Sequence, residues 1–252
     1  MLIIATVGPK TKDRKVLNEI ISSGANALRF NFSHGNIEEF DNIIEISRNI
    51  DKDINIIQDL SGSKLRVSEE LSHIIKIYNK EEVVFCGEDI YRNNLYNESG
   101  NKKVIPLNIK NEILISNDLK DISMKDNTMK FNIVRVTKDG IVTRVIKGGI
   151  VRCGKGCNIK GFSRSNLKLS DKDKIDLNWG IKKRVNTICQ SFVEDAEDIN
   201  EVRSYIHENA DENYKPKIWA KIETIKGIEN IDEIVNVVDG IIIARGDAFN
   251  AI

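Results

Sequence analysis

The sequence is short of proline, cysteine, histidine and net charge, and most of these shortages remove a class of function. Lysine plus arginine and aspartate plus glutamate balance at 38 each. The chain therefore lacks the basic excess that phosphate backbones and anionic headgroups require, and no nucleic-acid or membrane partner is expected. The four cysteines, at positions 86, 153, 157 and 189, are too scattered for a disulfide framework. Cys153 and Cys157 have no further Cys or His nearby to complete a zinc site. The three histidines lie far apart and, taken singly, read as surface or satisfied residues rather than ligands. Three prolines among abundant Asn, Ile and Lys reflect coding bias. The opening L-I-I-A-T has no basic stretch ahead of it and breaks at Gly8-Pro9. It is too short for a signal peptide or a membrane span, which reads as a cytoplasmic protein.

What remains is 252 residues, 40% hydrophobic and 30% charged, an ordinary globular composition with room for one large domain or two modest ones. A strand-like run at Leu2 to Thr6 precedes Val16, Leu17, Ile20 and Ile21, whose spacing makes one apolar stripe on a helix that Gly24 ends. A strand at Ala27 to Phe30 follows, then a turn at Ser33-His34-Gly35 and a helix from Ile37 to Ile50 with Phe40, Ile43, Ile44 and Ser47 inward. The third strand is Ile54 to Ile57, ended by Asp59. This β-α-β-α-β rhythm is the signature of parallel strands with helices outside. From Val67 to about Ser165 the pattern changes to short alternating runs, Lys130 to Thr137 and Gly140 to Ile146 among them, with Asp139-Gly140 as the clearest hairpin turn. Asn93 to Lys103 is polar and reads as a loop. The α/β rhythm returns at a Ser170-Asp171 cap leading into Ile175, Leu177 and Ile181. It continues through a strand at Thr187 to Phe192, a helix from Ala196 to about Glu208, a strand at Ile218 to Ile222, a helix from Gly227 to Val237 and a strand at Ile241 to Ala244. A (β/α)8 barrel needs two strands more than this, so the pattern reads as a truncated barrel, a barrel completed by another chain, or a fragment.

The polar residues gather at strand ends. I-W-A-K-I-E, from Ile218 to Glu223, reads as a buried strand delivering Lys221 and Glu223 from its C-terminal end. Ile241 to Ala244 ends likewise in Arg245, Gly246 and Asp247, and earlier strands end in Arg29 with Asn31 and in Asp59. Chemistry in such barrels sits at the C-terminal strand ends, so Arg29, Asn31, Asp59, Ser191, Lys221, Glu223, Arg245 and Asp247 are the candidates. Glu223 and Asp247 suit a hard divalent ion such as Mg2+. Lys221 suits a developing oxyanion or a phosphoryl group in transfer. The structural alternative is a set of ion pairs sealing the strand ends.

Seven stretches carry a resemblance: A-T-V-G-P at Ala5 to Pro9, L-R-F-N-F-S-H-G at Leu28 to Gly35, Asp59 with Gly62 and Arg66, K-G-C-N-I-K-G at Lys155 to Gly161, Q-S-F-V at Gln190 to Val193, A-K-I-E at Ala220 to Glu223, and D-G-I-I-I-A-R-G-D at Asp239 to Asp247. In this order and spacing the chain resembles the pyruvate kinase family. The resemblance implies an α/β fold, a (β/α)8 TIM barrel of pyruvate kinase type present here as about six strands over 1–66 and 166–252. It also implies an inserted antiparallel β-barrel lid over 67–165, after the third strand. The implied activity is a glycolytic phosphotransferase moving a phosphoryl group between phosphoenolpyruvate and ADP, giving pyruvate and ATP. By the same resemblance Glu223 and Asp247 bind Mg2+, with Mn2+ as a substitute, and Lys221 stabilises the phosphoryl group in flight. Arg29, Lys221, Gly246 and Asp247 contact substrate, and Asn31, His34, Arg66 and Lys155 bind the nucleotide. The family's monovalent-cation site corresponds to Asn31, Ser33 and Asp59. Leu60 and Lys64 match the combination found in members that work without potassium, because a lysine ammonium can stand in for the ion. Departures from the family pattern are A-F-N-A-I after Asp247 and the residues Leu60, Ser61, Ser63 and Lys64. Two alternatives are carried beside the kinase: a metal-dependent enolate or aldol enzyme on a pyruvate-like substrate, and a truncated, non-catalytic relative acting as a binding protein. A homo-oligomer is compatible with all of them.

Overall fold

The structure is a computed structural model that describes residues 1–93, 102–115, 119–124, 127–162, 167 and 169–243. The chain opens with β1 (Ile4–Thr6), α1 (Arg14–Ser22), β2 (Ala27–Asn31), α2 (Ile37–Ile50) and β3 (Asn55–Asp59). It continues through β4 (Ile75–Ile77), β5 (Glu82–Gly87), α3 (Glu88–Arg92), β6 (Lys103–Leu107), α4 (Asn111–Leu114), β7 (Asp121–Met124), β8 (Met129–Thr137), β9 (Gly140–Lys147), β10 (Gly149–Val151) and β11 (Cys157–Lys160). The last stretch holds α5 (Asp171–Lys183), β12 (Thr187–Gln190), α6 (Ala196–Asn209), β13 (Lys217–Ile222), α7 (Ile225–Glu229), α8 (Ile231–Val235) and β14 (Gly240–Ile243). Two compact units result, Met1–Ser63 with Leu167–Ile252, and Lys64–Asn166.

In the first unit six strands form one sheet in the order β1-β2-β3-β12-β13-β14, every pair parallel. Side chains alternate across it. Leu28, Phe30, Ile56, Ile188, Ala220 and Ile222 turn to the helices and join the main core. Ala27, Ile57, Cys189, Trp219 and Ile242 form a smaller cluster on the opposite face, and by the same alternation Arg29, Asp59 and Lys221 share that face. The helices cover the outer face with the stripe that the sequence predicts for α2, where Phe40, Ile43, Ile44 and Ser47 are its buried residues. Asn36 caps α2 by accepting from the Glu38 N–H at 2.7 Å. Ser170 caps α5, and α6 carries a capping box between Asp195 and Asp198, each satisfying amide donors the first turn leaves open.

In the second unit the sheet order is β11-β7-β8-β9-β5-β6. It is antiparallel except for the parallel pair β5–β6, and β4 and β10 form a separate antiparallel pair. In chain order this hairpin-rich sheet comes after β3 and before α5.

Several local expectations shift. The β8–β9 turn is Lys138-Asp139, with Thr137 opposite Gly140, because Gly140 already pairs in β9. β12 stops at Gln190 rather than Phe192, since Phe192 takes a left-handed φ of 59°. The single helix expected from Gly227 to Val237 is two short ones around Asn230, whose Nδ2 donates to the Glu194 carbonyl at 2.8 Å. Ile175 is 60% exposed; α5 buries Leu177, as expected, and Trp179, which the sequence reading did not single out. In α1 only Leu17 is fully buried. Most of the loop expected between Asn93 and Lys103, and the end of the last strand at Ala244, lie outside the described residues.

Candidate active site

Parallel pairing in register brings the C-terminal strand ends together. Asn31 is the register partner of Asp59, and Asp59 of Cys189. Asp59 is the hub, with a side chain 1% exposed. Arg29 Nε donates to its Oδ2 at 2.8 Å and Arg29 Nη2 pairs with the same oxygen. Lys221 Nζ stands 3.2 Å from its Oδ1. Lys221, 13% exposed, also donates to Ser191 Oγ at 2.8 Å and lies 3.4 Å from Glu223 Oε1. Ser191 Oγ is 2.8 Å from the Leu60 carbonyl and 3.3 Å from Asp59 Oδ1, so its single proton serves one or the other. Two cations and two carboxylates thus alternate along one line, Arg29, Asp59, Lys221, Glu223, and their formal charges cancel. Burying such charges is tolerable only when each is paired and hydrogen-bonded.

Neighbouring backbone holds this line in place. Glu223 Oε2 accepts the Phe192 N–H at 2.9 Å, and Phe192 itself holds a left-handed φ of 59°, rare outside glycine. Gly62, at φ +66°, passes so close to Ser191 that a Cβ there would stand 2.4 Å from the Ser191 carbonyl oxygen. The Gly62 N–H donates to Asp173 Oδ1 at 3.2 Å, and Ser170 Oγ donates to Asp173 Oδ2 at 2.7 Å. Burial raises the Asp173 carboxyl above its ordinary value despite these bonds. Arg29 Nη1 donates to Thr6 Oγ1 at 3.0 Å. Burial, with Asp59 beside it, pushes the Cys189 thiol up to about 12, so it stays protonated at neutral pH and is no nucleophile.

Of the residues singled out from sequence, Arg29, Asp59, Ser191, Lys221 and Glu223 meet directly, and Leu60 joins through its carbonyl. Asn31 Oδ1 accepts the Ser33 N–H at 3.0 Å, and His34 is exposed in the same turn. Lys64, Arg66 and Lys155 belong to the second unit. There Lys64 packs against Gly156, Arg66 Nη1 donates to the Gly154 carbonyl at 3.1 Å, and the Val67 N–H reaches the Lys155 carbonyl at 2.9 Å. Arg245, Gly246 and Asp247 lie outside the described residues. Sequence reasoning missed Thr6, the Phe192 N–H and Asp173. The apolar Phe192 carries no signal for its backbone role, and Asp173 lies in the first turn of α5 after the Ser170-Asp171 cap, where nothing in the sequence links it to Gly62. Among the described residues no group of three or more His, Cys, Asp or Glu is clustered to hold a metal, and no helix is long and apolar enough to cross a membrane.

A family model described as pyruvate kinase, barrel domain, matches residues 1–249. The chain belongs to the pyruvate kinase family. A pyruvate kinase of Sporosarcina psychrophila is 31% identical over 250 residues, 97% of this chain and 41% of that relative. One of Clostridium perfringens is 30% identical over 97% of this chain and 51% of the relative. One of Candida albicans is 31% identical over 97% of this chain and 48% of the relative. The chain spans about half the length of these curated relatives. Pyruvate kinases are transferases of glycolysis, and in this member of the family the parallel sheet is that of the barrel domain, with the Asp59–Lys221–Glu223 line at its C-terminal strand ends.

Proposed function

We propose that this chain carries the phosphoryl-transfer site of a pyruvate kinase, acting between phosphoenolpyruvate and ADP. The observation that carries the reading is Lys221, largely buried and fixed between Asp59 and Glu223 with Arg29 paired to the same Asp59. In the reaction an oxygen of the ADP β-phosphate attacks phosphorus, the bond to the enol oxygen breaks, and the departing enolate takes a proton to become pyruvate. Little covalent help is needed for such a transfer; positioned positive charge is. Lys221 would meet the phosphoryl oxygens as charge spreads over them, and Arg29 would orient the substrate phosphate. Both are pre-oriented by Asp59, so no rearrangement is required as charge develops.

Glu223 fits one half of a Mg2+ site. Its carboxylate offers about four acceptor directions, of which the Phe192 N–H and Lys221 use part. Asp247 would supply the other half, with Gly246 beside it lining the substrate site. When bound, Mg2+ or Mn2+ would neutralise substrate oxygens. Both Asp59 oxygens already face protein cations, which supports binding without added potassium, in line with the Leu60 and Lys64 pattern. Asn31 and His34 are read as nucleotide contacts of the first unit. Arg66, whose Nη1 donates to the Gly154 carbonyl, and Lys155, whose main-chain carbonyl accepts the Val67 N–H, are read as phosphate contacts of a lid in the second unit whose sheet would be the family's β-barrel.

Calorimetric titration of phosphoenolpyruvate with Mg2+ tests the reading. Wild type is expected to bind and Glu223→Gln to bind at least about tenfold more weakly, since a ligand charge is lost; equal affinities would sink the assignment. Binding without turnover when ADP is added would favour the non-catalytic relative.

A further inference from the structure

The inner face of the parallel sheet has a second end. Ile57, Thr187 and Lys217 sit in register on adjacent strands, one layer nearer the N-terminal strand ends than Cys189 and Trp219. A cavity of about 370 Å3 opens there, within the usual range of small-ligand pockets, about 300–1,000 Å3. Its lining includes Arg184, Lys215 and Lys217 and, among the described residues, no carboxylate. Arg184 is committed, with Nη1 2.5 Å from Asp211 Oδ2 and its guanidinium 5.3 Å from the Tyr214 ring centre. Lys215 and Lys217 are exposed and have no ion-pair partner among the described residues. Trp219 forms the inner wall. Its ring lies over Gly240, where a Cβ would come within 2.8 Å of Nε1, and that N–H has no acceptor among the described residues.

Two exposed ammonium groups, on a cavity whose described lining holds no carboxylate and whose nearby Asp211 is already paired with Arg184, favour a guest that brings negative charge and several acceptor oxygens. We propose that this cavity binds a small, multiply charged oxyanion of the phosphomonoester or polycarboxylate class. Lys217 and Lys221 lie on one strand about 13 Å apart at its usual rise, so the guest occupies a site separate from the Lys221 cluster.

Citrate and inorganic phosphate, titrated separately by calorimetry at constant ionic strength set with chloride, test this. Wild type binds at least one of them saturably. The double variant Lys215→Ala/Lys217→Ala binds it about tenfold or more weaker, each lysine supplying a charged hydrogen bond, while its melting temperature stays unchanged because both side chains are exposed. Lys221→Ala, at the other end of the face, retains the binding within about twofold, as distant sites do. Failure of wild type to bind either anion, equal binding by the double variant, or loss in Lys221→Ala instead would overturn the proposal.

Discussion

Replacing Gly62 by alanine tests whether the loop after β3 holds the charged line together. The added Cβ would stand 2.4 Å from the Ser191 carbonyl oxygen and 2.9 Å from its carbon, at a backbone φ of +66°. The left-handed conformation alone costs an L-residue about 1–2 kcal/mol. Relief of the overlap must move either the Gly62 loop or Ser191. The first weakens the Gly62–Asp173 bond and the second the Lys221–Ser191 bond, about 1.5–3 kcal/mol for a bond to a charged partner. A total near 3 kcal/mol corresponds to a fall in melting temperature of roughly 10 °C for a unit of this size. Gly8→Ala is the internal control, since a Cβ at Gly8 meets nothing within 4 Å, and it should stay within about 0.5 kcal/mol of wild type. Thermal and urea unfolding of the three proteins, followed by circular dichroism, give the comparison. Should Gly62→Ala melt together with Gly8→Ala, the close approach to Ser191 does not constrain the loop and the reasoning fails.

Ser191→Ala removes the acceptor that Lys221 uses and the donor to the Leu60 carbonyl; a loss of about 1–3 kcal/mol in stability and weaker phosphoenolpyruvate binding are expected, and unchanged values in both measurements would count against Ser191 as an anchor for Lys221. Asp173 has a folded-state pKa raised by burial, so its contribution to stability is full below its ordinary value of 3.8 and is lost as pH rises through the folded-state value. Asp173→Asn keeps an acceptor for the Gly62 N–H and does not titrate, so between about pH 4 and pH 7 urea melts should shift in favour of the variant; a pH-independent difference would refute this. With both Asp59 oxygens facing Arg29 and Lys221, phosphoenolpyruvate affinity in tetramethylammonium buffer should not change when potassium is added, and marked stimulation by potassium would remove that argument.

Much of the site was legible before any coordinate. Two-residue alternation along I-W-A-K-I-E requires Trp219 and Lys221 to leave one face and Ala220 and Ile222 the other. The same rule puts Arg29 and Asp59 on the face of Lys221 once the strands are parallel. The 3.6-residue stripe in α2 likewise identified Phe40, Ile43, Ile44 and even Ser47 as inward. Ile175 misled because an isolated apolar residue in a largely polar helix says little about its face, and the neighbouring Trp179 supplied the burial.

The amino-acid order by itself determined the strand ends that carry charge, the helix caps and the break into two kinds of β structure, because each depends on residues within a turn or two of one another. Tertiary structure alone decided which oxygen each cation reaches, that Phe192 turns its N–H to Glu223, and that Asp173 holds Gly62. It also decided that Lys215 and Lys217 line a cavity with no carboxylate among its described lining residues. The Arg29–Asp59, Phe192–Glu223 and Gly62–Asp173 pairings join positions 30, 31 and 111 residues apart, and the second involves a backbone conformation that the side chain does not demand. Only the packed sheet brings such groups within hydrogen-bond range and removes the water that would otherwise satisfy them.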